Sequence, residues 1–538
     1  VPAARLARQA AVSAYLCRVA VQLVWFKRDL RVDDHRPLVA ARRAGPVLCV
    51  YVFEPDVIAL PESDPRHWQF VIQSLADLRE ELRARGADLV LRTGDVVDVF
   101  DELCAEVPVA GVWSHEGTGL LATYERDKRV KRWAKDRGVP WTEIPQFGVF
   151  RPLDSRDGWA KRRARRMHEA LVAAPARLVA APVRDPGALP TLSQLGLAAS
   201  EAEDAQVGGL EAGRTLLTSF ISARGRDYRT SMSSPLSAWD SCSRISPYLA
   251  YGTLSLRRAV RTAEAARRKY AERARAGRSD SKDAGEWARS MKAFAERLTW
   301  HCHFTQKLES EPEIEIRNMS RTFDGMRTED PADWTTEQRR RFDAFRAGRT
   351  GYPMVDASVR CLRATGWINF RMRAMLVSFA SYYLWLHWKP TAEFLARLFV
   401  DFEPGIHYPQ VQMQAGTTGI SANRVYSPAK QLRDQDPQGE FVRRWVPELA
   451  DVPVAVLDRP GQMSLAEQAR VGCRVGPDYP EPIVVAGAAR AEAARRLAAA
   501  SRGPAARAEA RRVFERHGSR RGPRGRRYRG SPSSRRLP

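Results

Sequence analysis

Between Arg373 and Gln414 the chain reads RAMLVSFASYYLWLHWKPTAEFLARLFVDFEPGIHYPQVQMQ. One short span thus holds a fixed cation (Arg373), an intrahelical Trp388 and an acidic loop, Asp401-Phe402-Glu403. An indole can carry an electron. A paired guanidinium and carboxylate can hold the polar edge of a ring inside an apolar pocket. These residue types in this span point to a buried redox cofactor. A second stretch, Ser241-Cys242-Ser243-Arg244-Ile245-Ser246, precedes Pro247 at an expected helix start. Hydroxyls and backbone N–H groups there suit a pyrophosphate, or serve as an ordinary serine cap. His301 and His303, two apart on a helix, point in different directions, and no acidic or cysteine set completes a metal site.

The elements that must position these groups fall into two patterns. Val21–Phe26, Pro46–Phe53, Ala87–Arg92 and Gly111–Trp113 are short apolar strands. Amphipathic stretches such as Trp68–Arg85 and Tyr124–Arg137 lie between them, which predicts a parallel, Rossmann-like α/β domain over 21–150. A Pro/Ala/Gly-rich connector is expected over 151–215, then an all-α domain over 216–485. Its clearest helices are Trp300–Leu308, Asp356–Arg363, Phe370–Trp388 and Ala392–Val400. Residues 486–538 read as a basic Ala/Arg helix to about 517 and a disordered Arg-rich tail, and 1–20 as a disordered or mis-assigned start.

The net charge of +24 (87 − 63) calls for an anionic partner, most often nucleic acid. From Arg490 onward 16 arginines face three acids, so the rest of the chain keeps +11 (24 − 13). No apolar run reaches the ~20 residues of a membrane span. The seven cysteines are scattered with no C-x-x-C pair, so no disulfide framework, zinc or iron–sulfur site is indicated, and a reducing cytoplasm is expected.

Five blocks carry a resemblance: WFKRDLRVDDH, SRISPYLAYGTLS (243–255), TGYPMVDASVRCLRATGWIN (350–369), RMRAML (371–376) and GEFVRRWVPEL (439–449). In type and order they resemble the DNA photolyase/cryptochrome family over about 21–485. The resemblance implies an α/β antenna domain and an all-α domain binding FAD. It also implies blue-light-driven electron transfer from reduced flavin to pyrimidine dimers in DNA, by a monomer. A signalling cryptochrome is the alternative.

The site residues follow from the resemblance. It places the FAD diphosphate at Ser241–Ser246, with Tyr228 as a further phosphate contact and Cys242 where a hydroxyl is usual. Trp367, Arg373, Asp401, Phe402 and Glu403 border the ring. His407 falls opposite flavin N5, where it would donate or shuttle a proton near neutral pH. Trp388 matches the middle of an electron-transfer tryptophan chain and Trp334 its distal member, but Val411 occupies the ring-proximal position. Tyr408, Trp385 and Trp367 are other possible carriers. On the lesion side Trp300 and Met413 are the stacking positions, and His301 and Arg297 replace the family's Arg and Glu/Gln. Arg371, Lys430 and Gln431 are expected phosphate or sugar contacts. Ile368-Asn369-Phe370 follow the TGW motif in place of the histidine of (6-4) enzymes, which favours cyclobutane dimers. A second chromophore (folate, deazaflavin or lumazine) would sit among Trp25–Arg28 and 115–125, with Glu125 as its contact.

Overall fold

The structure is a computed structural model that describes residues 20–519 except 278, 422 and 423. The expectations for residues 1–19 and for the tail from 520 lie outside the described residues.

Strands β1 (Val21–Phe26), β2 (Val47–Phe53), β3 (Leu89–Thr93), β4 (Val109–His115) and β5 (Trp141–Ile144) form one sheet in the order β3-β2-β1-β4-β5. Every pairing is parallel. β1 and β2 are buried at every residue, as continuous apolar strands covered on both faces must be. The fifth strand, Trp-Thr-Glu-Ile, is a half-buried edge with no apolar run to betray it. Helices α1 (Arg36–Ala44), α2 (Pro65–Arg83), α3 (Val96–Glu106) and α4 (Leu121–Asp136) make the crossovers. The strand order turns at β1, so a crevice opens at its carboxyl end, beside β2 and β4.

The expected connector contains a helix, Trp159–His168, and ends early, because a helix begins at Leu210. The rest is helical. The elements that shape the site are α5 (Ser246–Ala250), α6 (Leu256–Arg275), α7 (Ser281–Ser310), α8 (Pro353–Thr365), α9 (Phe370–Ser378), α10 (Trp388–Leu398) and α11 (Pro404–Ala415).

The helix expected over Phe370–Trp388 is broken. α9 stops at Ser378 and widens into a π turn over Phe379–Tyr383, and Trp385 takes a left-handed φ of 55°. His387 then starts a new helix by accepting a hydrogen bond from the Lys389 N–H on Nδ1 (3.3 Å). Trp388 therefore opens α10 instead of sitting mid-helix. A continuous apolar run gave no sign of this break, because the signal is a capping histidine inside it.

Gly405 lets α11 lie against α7: a Cβ there would sit 2.7 Å from the Thr305 Cα. The expected C-terminal helix is two, α12 (Ala486–Ala500) and α13 (Pro504–His517), parted at Ser501-Arg502-Gly503 ahead of a proline. No described helix is long and apolar enough to cross a membrane.

Candidate functional site

A cavity of about 530 Å³ opens inside the helical region, walled by α5, α7, α9, α11 and the loop Phe399–Glu403. Arg373 on α9 donates from Nε to the Ile368 carbonyl (2.7 Å). Its Nη1 and Nη2 donate to the two oxygens of Asp401 (2.8 and 2.9 Å). The guanidinium also lies 4.1 Å from the centre of the Phe399 ring. Each remaining degree of freedom of the pair is thus taken up, leaving a fixed, mutually neutralised couple on the cavity wall. Phe402 and Glu403 continue that wall, and Glu403 caps α11 through the Gly405 N–H (3.4 Å). Burial raises the Glu403 carboxyl above its ordinary value.

His407 reaches the wall. Burial pushes it down to about 4, and its hydrogen-bond distance to the Ala392 carbonyl (2.9 Å) requires the proton on Nε2. The imidazole is neutral at pH 7, with Nδ1 left as an acceptor. With the proton on Nε2, it is the acceptor nitrogen Nδ1 that stays free of the Ala392 contact.

Tyr228, Cys242, Ser243, Ile245 and Ser246 line one end of the cavity. Ser241 and Arg244 do not. Ser241 donates to the Ser237 carbonyl (2.7 Å) at the end of its own helical turn. Arg244 packs its guanidinium between Trp239 (3.9 Å) and Trp367 (4.3 Å), so it holds the loop while Trp367 faces the cavity. Burial pushes the Cys242 thiol up to about 12, so it offers a neutral S–H where a hydroxyl was expected.

The mouth carries Trp300 and His301 from α7, with the Arg297 guanidinium 4.1 Å from the Trp300 ring centre. Both ring nitrogens of His301 are buried without a partner, and burial pushes its pKa to about 3. Asn369 donates to the Met232 and Ser233 carbonyls (3.2 and 2.7 Å), which leaves its side-chain oxygen unpartnered. Arg371 Nε and Gln410 Oε1 are likewise unpaired. Buried polar groups without partners are costly unless a ligand satisfies them.

Met413 and Gln431 are absent from this wall. Gln410, Val411 and Gln414 present the inner face of α11 in place of Met413, and Gln431 is buried on a separate helix. Lys430 pairs with Asp434 (3.2 Å) at the surface. Trp388 is fully buried behind the wall, donating to Asn318 Oδ1 (2.8 Å). Trp334 packs on Phe342 (5.1 Å), and among the described residues it makes no ring contact with Trp388. Sequence reasoning missed Asn369, Gln410 and Gln414. The two glutamines at i, i+4 flanking Val411 were the available signal.

A second cavity, about 170 Å³, lies at the carboxyl ends of β1, β2 and β4 and shares Leu249, Ala250, Phe402 and Glu403 with the first. Glu125 is not part of it: the side chain is 63% exposed and bonded to Lys128 (2.8 Å). Its helical neighbour Arg126 turns inward to Glu54 (2.7 Å) and Asp127 (2.8 Å). At its base Asp29, His35 and His115 bring three ligand atoms within 4.8 Å. His35 accepts the Leu38 N–H on Nδ1 (3.1 Å) and donates from Nε2 to Asp29 (2.9 Å), while His115 donates to the same oxygen (2.7 Å). Both nitrogens of His35 and Nδ1 of His115 are spent on this network, which pins the loop after β1 to the end of β4. Burial would raise Asp29, but the two imidazoles hold it well below the ordinary carboxylate range.

A parallel α/β domain set against a helical region, with a guanidinium–carboxylate couple and orphaned polar atoms around one cavity, defines a class of α/β-plus-helical ligand-binding proteins. The comparisons with known proteins narrow the class. Residues 22–176 match the family model "DNA photolyase", and 294–499 match "FAD binding domain of DNA photolyase". The chain is 31% identical to cryptochrome DASH of Gloeobacter violaceus over 86% of this chain and 92% of that protein. It is 29% identical to the deoxyribodipyrimidine photo-lyase of Halobacterium salinarum over 86% and 96%. Its fold superposes on a bacterial class III photolyase from Agrobacterium tumefaciens with a TM-score of 0.77 and 25% identity, covering 90% of this chain and 98% of that one. The chain belongs to the DNA photolyase/cryptochrome family and carries that family's FAD-binding domain.

Proposed function

We propose that this protein is a deoxyribodipyrimidine photo-lyase that splits cyclobutane pyrimidine dimers in DNA. The observation that carries the reading is the juxtaposition in one cavity of the Arg373–Asp401 couple and the orphaned polar mouth around Trp300. FAD fits the donor set. Arg373 and Asp401 would hold its ring edge, and Tyr228, Ser243 and Ser246 its phosphates. When bound and reduced, FAD supplies the excited electron that opens the cyclobutane ring, and that electron returns, so no net redox change occurs.

The residues of the chain do the remaining work. Trp300 offers an aromatic face to an extruded base pair. Neutral His301 and the Asn369 oxygen offer uncharged hydrogen bonds to a base edge, and Arg371 reaches a flanking phosphate. A buried neutral His301 is a poor general acid, which suits a reaction needing no proton donor. The basic surplus of the chain favours DNA as the partner, and the six described cysteines, all free, suit a reducing cytoplasm. The smaller cavity is our candidate for an antenna chromophore (folate, deazaflavin or lumazine).

The test is illumination of purified protein with a dimer-bearing oligonucleotide. Thymines restored in light and not in darkness support the reading. A flavin-bearing protein that photoreduces and leaves the dimers intact supports the cryptochrome alternative, which the absence of Met413 from the stacking wall favours.

A further inference from the structure

A ring that gives an electron in light must itself be kept reduced, and Val411 stands on the wall where an indole was expected. This inference rests on the flavin reading above. The aromatic side chains near the cavity differ in how readily they could lose an electron. Trp367 leads to half-buried Trp239 (5.5 Å between ring centres), but Arg244 lies over both rings. Trp385 has Arg327 at 4.4 Å and Arg496 at 5.0 Å. A fixed cation at such range opposes an indole radical cation.

Tyr408 is the opposite case. Its ring centre is 5.4 Å from that of His407 on the cavity wall and 6.1 Å from that of Trp388. It is fully buried and donates its hydroxyl to Glu62, which lines the smaller cavity. Around it stand Glu315, which accepts the Leu121 N–H (2.8 Å), and Glu393, paired with Lys389. Burial, then Glu62, Glu315 and Glu393, keep the phenol protonated by raising it well above its ordinary value. Burial also lifts Glu315 to about 7.

We propose that Tyr408, with Glu62 as its proton acceptor, is the relay that delivers single electrons to the cavity. Tyr408 gives up one electron to the photo-excited oxidised isoalloxazine, which is the oxidant. Its O–H bond breaks, and the proton crosses the existing hydrogen bond to Glu62. The pair passes from phenol and carboxylate to neutral phenoxyl radical and carboxylic acid. A thiol reductant then restores the electron, and Glu62 returns the proton. The hydrogen-bonded Glu62 carboxylate lowers the cost of this oxidation, where Arg244 raises it for Trp239 and Trp367 and Arg327 for Trp385.

The test uses flavin-loaded protein under anaerobic blue light with added thiol, read by the rate of flavin photoreduction and by electron paramagnetic resonance. The wild type should give a tyrosyl signal and slow in D₂O. Tyr408→Phe should lose that signal and photoreduce about tenfold more slowly. Glu62→Gln, which keeps the shape but removes the base, should lose the D₂O effect and slow likewise. It also decides the matter if Tyr408→Phe does not fold. A wild-type rate in either variant, or an indole radical abolished by Trp388→Phe, overturns the relay. Wild-type protein reduced with dithionite in the dark needs no relay. If it fails to repair dimers, the functional reading falls while the relay result stands.

Discussion

The two cavities share a wall and differ in what their polar groups are doing. At the sheet edge, charges are already matched: Lys27 with Asp127 (3.4 Å), Arg126 with Glu54 and Asp127, Asp29 with two histidines. In the helical cavity Arg373 and Asp401 are matched, but His301, Asn369, Arg371 and Gln410 retain unused atoms. A cavity whose polar atoms are satisfied can exist for the sake of the fold. One with several buried and unpaired offers them to a ligand or to water. The two regions also touch directly. Arg28 leaves the sheet to donate to the Phe402 carbonyl (2.5 Å), and His67 hydrogen-bonds the Phe399 carbonyl (2.9 Å). The α/β domain thereby braces the loop that carries Asp401.

The contrast can be broken from the sheet side. Arg126→Gln leaves Glu54 buried without its cation, while Asp127 keeps Lys27, and should cost about 3–5 kcal/mol of stability in a thermal or denaturant melt. The folded fraction should still retain flavin. On the helical side, Trp300→Ala should weaken binding of dimer-bearing over undamaged DNA by about 1–3 kcal/mol in a gel-shift titration, with flavin content unchanged.

Acid sharpens the comparison further. Burial pushes His115 and His301 to about 3 and His407 to about 4, from an ordinary 6.5. Above 6.5 neither the folded nor the unfolded chain protonates them. Below it the unfolded chain takes up protons that the folded one refuses. Stability should therefore fall as pH drops from 6.5 towards 4, by at most about 1.4 kcal/mol per pH unit for each such histidine. His301→Gln should flatten the melting-temperature profile over that window. The smallest effect is reserved for Glu125→Ala: an exposed carboxylate outside both cavities should shift stability by less than about 0.5 kcal/mol and leave any second chromophore bound.

The sequence made parts of this architecture readable because the physics was local. Continuous apolar strands announced β1 and β2, and the spacing from Asp401 to His407 put both residues on one wall. Other features had no local signature. β5 lacks an apolar run, and the α9–α10 break depends on a capping histidine inside one. Whether Ser241, Arg244, Met413 and Gln431 face the cavity depends on the rotation of each element about its axis, which neighbours decide. Glu125 and Arg126 are adjacent in sequence yet point to solvent and interior. Tyr408 and Glu62 are far apart along the chain, and their meeting belongs to the tertiary fold alone.

The most direct test is the flavin content of three purified, FAD-reconstituted proteins: wild type, Asp401→Asn and Glu54→Gln. The account predicts close to one FAD per wild-type chain, marked loss in Asp401→Asn once Arg373 lacks its counter-charge, and retention in Glu54→Gln. A colourless wild type, or flavin kept by Asp401→Asn and lost by Glu54→Gln, would contradict it.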